Sequence, residues 1–162
     1  MLLDYYLRSG NVARTSPLET AIGYKFLPHT TDAYVQAVGT TTEEAFAYAA
    51  VALIDTMCNV SSVGGSMTEK LHVEGPNEVI LLYNWLELLL LKFELEHRVF
   101  SSYSALKITH QKGRLSLDTE GSGEFYDKGK HGAKVEVKAV TLHRMEVSRL
   151  GNFAVVRFIL DL

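Results

Sequence analysis

Repeating patterns of apolar and polar residues divide most of the chain into strands and helices. Period-two alternation and short β-rich apolar runs predict strands, and apolar residues at helical spacing predict helices. The predicted strands are 24–27, 33–38, 67–73, 99–109, 114–119, 135–148 and 153–162. The predicted helices cover about 42–57 and 77–96. This order predicts an α+β fold, a two-layer sandwich in which a mixed β-sheet has two helices packed on one face.

The last part of the chain has the clearest strand pattern. In 135–148 polar and apolar residues alternate, with Lys138 on the polar face and His143 on the apolar face, which predicts a core histidine. The run 153–162 is apolar on both faces, which is typical of an interior strand covered from both sides. Residues 149–152, which include Gly151, turn the first run back onto the second, and the Gly-rich stretch 120–132 is predicted to be a loop.

Capping residues mark where both helices begin. Thr41 with Glu44 fits a capping box, as does Thr40 with Glu43. Asn77 is a candidate N-cap, with Pro76 in the first turn as the alternative. Residues 1–22 have no clear periodicity and are predicted to be an N-terminal extension, partly disordered, outside a domain that covers 23–162. A docking arm and a cloning remnant are the alternatives for this extension.

Composition limits the classes of protein to consider. The chain has 162 residues, 47% of them hydrophobic and 22% charged, which is ordinary for one soluble globular domain. A net charge of -3 argues against nonspecific gripping of phosphate backbones, so we expect no direct nucleic-acid binding. The chain start lacks the pattern of a secretory signal, and the apolar stretch 79–93 is too short to span a bilayer, so we expect no membrane association.

Motifs of self-sufficient enzymes are missing from the sequence. Cys58 is its one cysteine, which excludes an intrachain disulfide and a cysteine metal cluster and fits a reducing compartment. No base adjoins Cys58, and no Gly-x-Ser-x-Gly elbow or phosphate-binding glycine loop occurs. The sequence therefore offers little support for an independent catalyst.

Acidic residues near both ends of the predicted domain are candidate metal ligands. Asp161 and the terminal carboxylate of Leu162 are neighbours at the end of a buried strand, and Asp32 lies in the first loop. Hard divalent cations prefer such oxygen ligands. The sequence does not bring Asp32 to Asp161, so a loop cap and a solvated chain end remain alternatives to a metal site. Lys138 either forms a solvated cross-strand salt bridge or contacts a phosphate group or a partner. His29 is expected to hold its loop by hydrogen bonds.

Three separated stretches resemble the motifs of one family. The first is Tyr24-Lys-Phe-Leu-Pro-His-Thr-Thr-Asp, and the second is Leu81-Leu-Tyr-Asn-Trp-Leu. The third combines Val135-Glu-Val-Lys-Ala-Val-Thr-Leu-His with the closing Phe158-Ile-Leu-Asp-Leu. They are similar to archease motifs, and the resemblance spans 24–162 in the right order. Thr31 stands where that family usually has alanine.

The resemblance implies a role and a set of site residues. Archeases are non-catalytic protein cofactors of the RtcB-type RNA ligase, which joins tRNA exon halves in tRNA splicing through a guanylylated histidine. They promote guanylylation and multiple turnover, and any contact with GTP and tRNA is through the ligase. The family's metal residues correspond to Asp32, Asp161 and Leu162, and its activating lysine corresponds to Lys138. The ion implied is calcium or magnesium, or manganese in the ligase complex, and the compartment is the cytoplasm or the nucleus.

Two other classes of function stay open at this point. One is a stand-alone divalent-metal-dependent phosphohydrolase, which would release phosphate from nucleotides without a ligase. The other is a structural adaptor that needs no metal, for which Asp32→Ala would leave activity intact.

Overall fold

The structure is a computed structural model that describes Pro17 and residues 21–162. Its elements follow the predicted order, with one short helix added before the last two strands. The strands are β1 (Gly23–Leu27), β2 (Ala33–Gly39), β3 (Met67–Gly75), β4 (Arg98–Gln111), β5 (Arg114–Phe125), β6 (Ala139–Leu150) and β7 (Phe153–Asp161). The helices are α1 (Thr42–Met57), α2 (Glu78–Glu96) and α3 (Lys128–His131), and Val60–Ser62 forms a 3₁₀ turn. The predictions made for residues 1–16 and 18–20 fall outside the described residues.

The strands form two sheets. One has the order β1-β2-β7-β6 and the other the order β3-β5-β4, and every neighbouring pair is antiparallel. The predicted α+β class is confirmed, whereas the prediction of a single mixed sheet is wrong. A period-two pattern reports which face of a strand is buried, but it carries no information about the hydrogen-bonded neighbour or its direction.

Both long helices pack against both sheets. α1 contacts β1, β2 and β7 of the first sheet and β4 of the second, while α2 contacts β6 and all three strands of the second. Trp85 joins the helices, because its indole Nε1 donates a hydrogen bond to the main-chain oxygen of Phe46 at 3.1 Å, and both side chains are fully buried. None of the helices in the described part of the chain is long and apolar enough to cross a membrane.

The predicted N-caps are confirmed at both long helices. The Thr41 hydroxyl accepts a hydrogen bond from the amide of Glu44 at 3.1 Å, and the Asn77 side chain accepts one from Ile80 at 2.9 Å. The Glu44 carboxylate accepts from the amide of Thr40 at 2.6 Å and from its hydroxyl at 2.7 Å. These hydrogen bonds lower the pKa of Glu44. Glu44 therefore bonds one residue before the N-cap, which differs from the standard capping box.

β7 is the interior strand that its sequence predicts. It pairs with β2 on one side and β6 on the other. Its buried residues lie on both faces and are Ala154, Val155, Val156, Phe158, Ile159 and Leu160. The end of this strand is therefore fixed by two neighbours.

The strand predicted for 135–148 begins later than expected. The amides of Lys134 and Val135 donate to the main-chain oxygens of Met57 and Thr56 at the end of α1, at 2.9 and 3.3 Å, and β6 begins only at Ala139. The prediction of a core histidine is also wrong, because His143 is exposed. The β6–β7 register shifts between Thr141 and Glu146, and this irregularity breaks the simple alternation of faces.

The stretch predicted to be a loop from 120 to 132 is largely ordered as strand and helix. β5 continues to Phe125, and α3 follows. Gly123 lies in this extension because β4 approaches it closely: a Cβ at Gly123 would lie 1.9 Å from the main-chain oxygen of Val99. Glycine here marks backbone contact within a strand rather than a flexible loop.

Candidate functional site

β2 and β7 bring Asp32 and Asp161 to the same end of the first sheet. Their register runs up to Ala33 opposite Leu160, and Asp32 and Asp161 are the next residues beyond that pair. Opposed residues of an antiparallel pair lie about 4.5–5.5 Å apart at Cα, with both side chains on one face. Asp32 lies in the bend just before β2, so the two aspartates share this end of the sheet.

Lys138 reaches the same end of the sheet from β6. Its amide donates to the main-chain oxygen of Asp161 at 2.8 Å, immediately before Ala139 pairs with Asp161. Its exposed ammonium donates to the main-chain oxygen of Leu162 at 2.7 Å. This contact crosses between strands, as the salt-bridge interpretation requires, but its acceptor is a main-chain oxygen. The structure thus places Lys138, Asp161 and Leu162 in contact, with Asp32 at the same end of the sheet, which local sequence patterns do not predict.

The loop that carries Asp32 is held by His29, as the sequence predicts. The amide of Asp32 donates to Nδ1 of His29 at 3.3 Å, and the same nitrogen lies 3.7 Å from Oδ2 of Asp32. The imidazole also packs edge-on against Tyr34 of β2, with ring centroids 6.2 Å apart. These contacts fix the position of Asp32 relative to the strand that follows.

The donor set at this end of the sheet suits a hard divalent cation. It consists of two carboxylates, from Asp32 and Asp161, and the main-chain oxygen of Leu162. Calcium and magnesium take such oxygen ligands and complete their coordination with water or with groups from other molecules. Within residues 21–162, no group of three or more His, Cys, Asp or Glu side chains is positioned to hold a metal. A cation at this sheet end would therefore take further ligands from the oxygen of Leu162 and from water or another molecule.

Residues missed by the sequence reasoning anchor the segment that leads to Lys138. The Glu124 carboxylate accepts hydrogen bonds from Lys130 at 2.6 Å, from the amide of Gly64 at 2.6 Å and from Nε2 of His131 at 2.8 Å. Together these donors, Lys130 foremost, lower the pKa of Glu124 to about 2. No local pattern marks this contact, because Glu124 and His131 lie seven residues apart on a strand and on a separate short helix.

The anchored segment continues into the core beside α1. His131 is buried, its Nδ1 accepts from the amide of Asp127 at 2.9 Å, and its main-chain oxygen accepts from Asn59 at 2.8 Å. Cys58 is buried next to Asn59 at the C-cap of α1, and burial raises the pKa of its thiol. This environment disfavours the thiolate, in agreement with the expectation that Cys58 is not a nucleophile.

Comparison with known proteins decides the family. The model of the Archease protein family (MTH1598/TM1083) matches residues 24–162, which is most of the chain. The chain belongs to the archease family. Archease of Sulfurisphaera tokodaii is 32% identical over 139 residues, which cover 86% of this chain and 98% of that protein. Archease of Pyrococcus furiosus is 38% identical over 122 residues, or 75% and 85% of the two chains.

Solved archease structures show the same fold. The solution structure of Methanobacterium thermoautotrophicum protein 1598 superposes with a TM-score of 0.75 at 33% identity, and the match covers 86% of this chain and 99% of that one. The crystal structure of a Thermotoga maritima archease, described as a possible chaperone, gives a TM-score of 0.50 at 17% identity over 85% and 96%. The second likeness supports the fold alone.

Proposed function

We propose that this archease activates an RtcB-type tRNA-splicing ligase, promoting its guanylylation and its multiple turnover without being a catalyst itself. The observation that carries the proposal is the meeting of Asp32, Lys138, Asp161 and Leu162 at one end of a sheet. These four residues come from three chain segments that are separated in sequence. They are also the positions that correspond to the archease family's metal residues and activating lysine.

The chemistry of this sheet end is suited to a nucleotide phosphate held by a partner. Asp32, Asp161 and Leu162 would hold a divalent ion, which when bound supplies positive charge toward phosphate oxygens. The ammonium of Lys138 is exposed and adds a positive charge next to those ligands. In the free protein this ammonium donates to the oxygen of Leu162. An anionic acceptor from the ligase would be a stronger partner and could replace that oxygen.

The test is a guanylylation assay of the ligase with GTP, with and without this archease. Lys138→Ala and Asp161→Ala should each lower stimulation by at least about tenfold, because each removes a charge from the proposed site. Both side chains are exposed, so the core does not need them for folding. Lys107→Ala is the matched control, since Lys107 is an exposed lysine of β4 in the other sheet. Circular dichroism should show that all three variants remain folded.

Three results would contradict the proposal. Stimulation at the wild-type level by folded Lys138→Ala and Asp161→Ala would separate the site from the activity. Release of phosphate from GTP by the purified protein alone would favour the phosphohydrolase alternative instead. Activity retained by Asp32→Ala would favour an adaptor that needs no metal. The ligase also sets the expected compartment, which is the cytoplasm, with the nucleus as the alternative.

A further inference from the structure

An apolar groove lies between the last turn of α2 and the segment 133–137, which leads to Lys138. Its volume is about 520 Å³. Apolar and aromatic side chains line it, among them Met57, Phe93, Tyr126 and Val137, and two carboxylates, Glu94 and Glu136, also line it. A volume of this size lies within the range of binding pockets, so it is large enough to receive side chains of another molecule.

The walls of the groove are formed before any ligand arrives. The rings of Phe93 and Tyr126 are in contact, with centroids 4.8 Å apart. The amide of Tyr126 donates to the main-chain oxygen of His97 at 2.7 Å, and its hydroxyl donates to that of Gly132 at 2.6 Å. These bonds tie β5, α2 and the segment after α3 to one another. A partner that binds here would spend little free energy on ordering the groove.

Exposed apolar side chains occur in the chain segments that form the groove. Leu95 adjoins Glu94 and is 74% exposed, and Phe125 adjoins Tyr126 and is 62% exposed, but neither side chain lines the groove itself. Val135 lines the groove itself and is 46% exposed. Large apolar side chains clustered around a concavity mark contact with another macromolecule. The combination favours a protein segment over an enclosed small molecule.

The charges of the groove select a basic occupant. Glu94 and Glu136 are exposed, and neither forms an ion pair within residues 21–162. Lys134 also lines the groove, but its ammonium is paired with Oδ1 of Asp55 at 2.7 Å. The two glutamates therefore give the lining a negative charge that no ion pair within the described residues compensates. Complementary charge on a partner would have to be positive.

The groove and the candidate site are joined through the chain, because Glu136 and Val137 line the groove and Lys138 follows them directly. We propose that the groove receives a segment of the same RtcB-type ligase, with an apolar side chain seated between Phe93 and Val137 and an arginine or lysine beside Glu94 and Glu136. This inference rests on the proposed function and adds a docking contact that is separate from the activating residues.

The experiment measures the Kd of fluorescently labelled archease for the purified ligase. The double charge reversal Glu94→Lys and Glu136→Lys should weaken binding by at least about tenfold, as should Ala133→Phe, which places a ring in the groove. The milder pair Glu94→Gln and Glu136→Gln, which keeps the side-chain shape, should shift Kd in the same direction. The control is Glu120→Lys, because Glu120 is exposed on β5 outside the groove and should leave Kd within about twofold.

The guanylylation assay then separates docking from activation. The groove variants retain Lys138 and Asp161, so they should reach the wild-type maximum of stimulation. A higher concentration of each variant should be needed for half-maximal stimulation. Unchanged Kd in folded groove variants, with wild-type protein binding and stimulating normally, would overturn the groove contact alone. Absence of wild-type binding would overturn both proposals. Self-association of the wild type that Ala133→Phe abolishes would assign the groove to a second copy and overturn the ligase contact.

Discussion

The substitution Gly123→Ala tests the close approach of β4 and β5 most directly. An ideal Cβ at Gly123 would lie 1.9 Å from the main-chain oxygen of Val99 and 2.8 Å from Cα of Phe100. Ordinary carbon–oxygen contacts are about 3.3–3.6 Å, so the β4 backbone would have to move by more than about 1 Å. No rotation of a side chain relieves the clash, because both neighbouring atoms belong to the main chain.

The cost of this movement follows from what it would disrupt. Gly123 is opposite Phe100 and Glu124 is opposite Val99, directly beside an existing register shift between Phe100 and Ser102. Overpacking costs about 1–3 kcal/mol. Each hydrogen bond lost from the ladder adds about 1 kcal/mol. We therefore expect Gly123→Ala to lower the free energy of unfolding by about 3 kcal/mol, a large part of the about 5–15 kcal/mol that stabilises a typical domain.

Urea unfolding followed by the fluorescence of Trp85, the chain's one tryptophan, measures this effect. With a slope of about 2 kcal/mol/M, the midpoint should fall by about 1.5 M. Gly129→Ala is the control: its Cβ would meet only the Asp127 side chain, at 3.1 Å, and it should change the free energy of unfolding by less than about 0.5 kcal/mol. A Gly123→Ala midpoint within about 0.3 M of wild type would refute the reasoning.

Two further predictions concern the anchor and the core. Since the pKa of Glu124 is about 2 in the folded protein and 4.5 ordinarily, its stabilising contribution is complete above about pH 4.5 and is lost as pH falls toward 2. The urea midpoint of wild type should therefore fall more between about pH 5 and about pH 3 than that of Glu124→Gln, and parallel losses would contradict this assignment. Trp85→Phe removes the hydrogen bond to Phe46 and part of a buried ring, so it should lower the free energy of unfolding, followed by circular dichroism, by about 2–3 kcal/mol. A loss of less than about 0.5 kcal/mol would show that the indole does not link the helices.

The sequence predicts elements best where the signal is local. Asn77 and Thr41 cap the helices because their side chains bond amides only three residues ahead. The apolar residues on both faces of β7, interrupted only by Arg157 before Asp161, predict its central place in a sheet, since a strand buried on both faces needs no alternation. In each case the physical cause lies within a few residues, so a single sequence contains it.

Predictions fail where contacts between distant segments decide the structure. Gly121 and Gly123 resemble loop residues in the sequence. In the structure they pair closely with β4, so β5 continues through them. Val135 lies in a stretch with the alternation of a strand, but its amide donates a hydrogen bond to the main-chain oxygen of Thr56 at the end of α1. His143 belongs to an apolar alternation that the register shift of β6 interrupts. Each outcome depends on a neighbour that the local pattern does not specify.

The candidate site shows the same division. The types of residue at Asp32, Asp161 and Lys138 are visible in the sequence, and so is the chemistry they favour. Their meeting is not, because it depends on β2 pairing with β7 and on the amide of Lys138 bonding Asp161. Their roles in metal binding and ligase activation stay predictions until the guanylylation assay is done.

The contact between Lys138 and Leu162 has a practical consequence for protein production. A purification tag fused after Leu162 would begin at the carbonyl group whose oxygen accepts from the Lys138 ammonium at 2.7 Å, next to Asp161. The fusion would convert any terminal carboxylate there to an amide and crowd the sheet end with foreign residues. A cleavable tag at the opposite terminus avoids this interference, so preparations intended for activity measurements should carry it there.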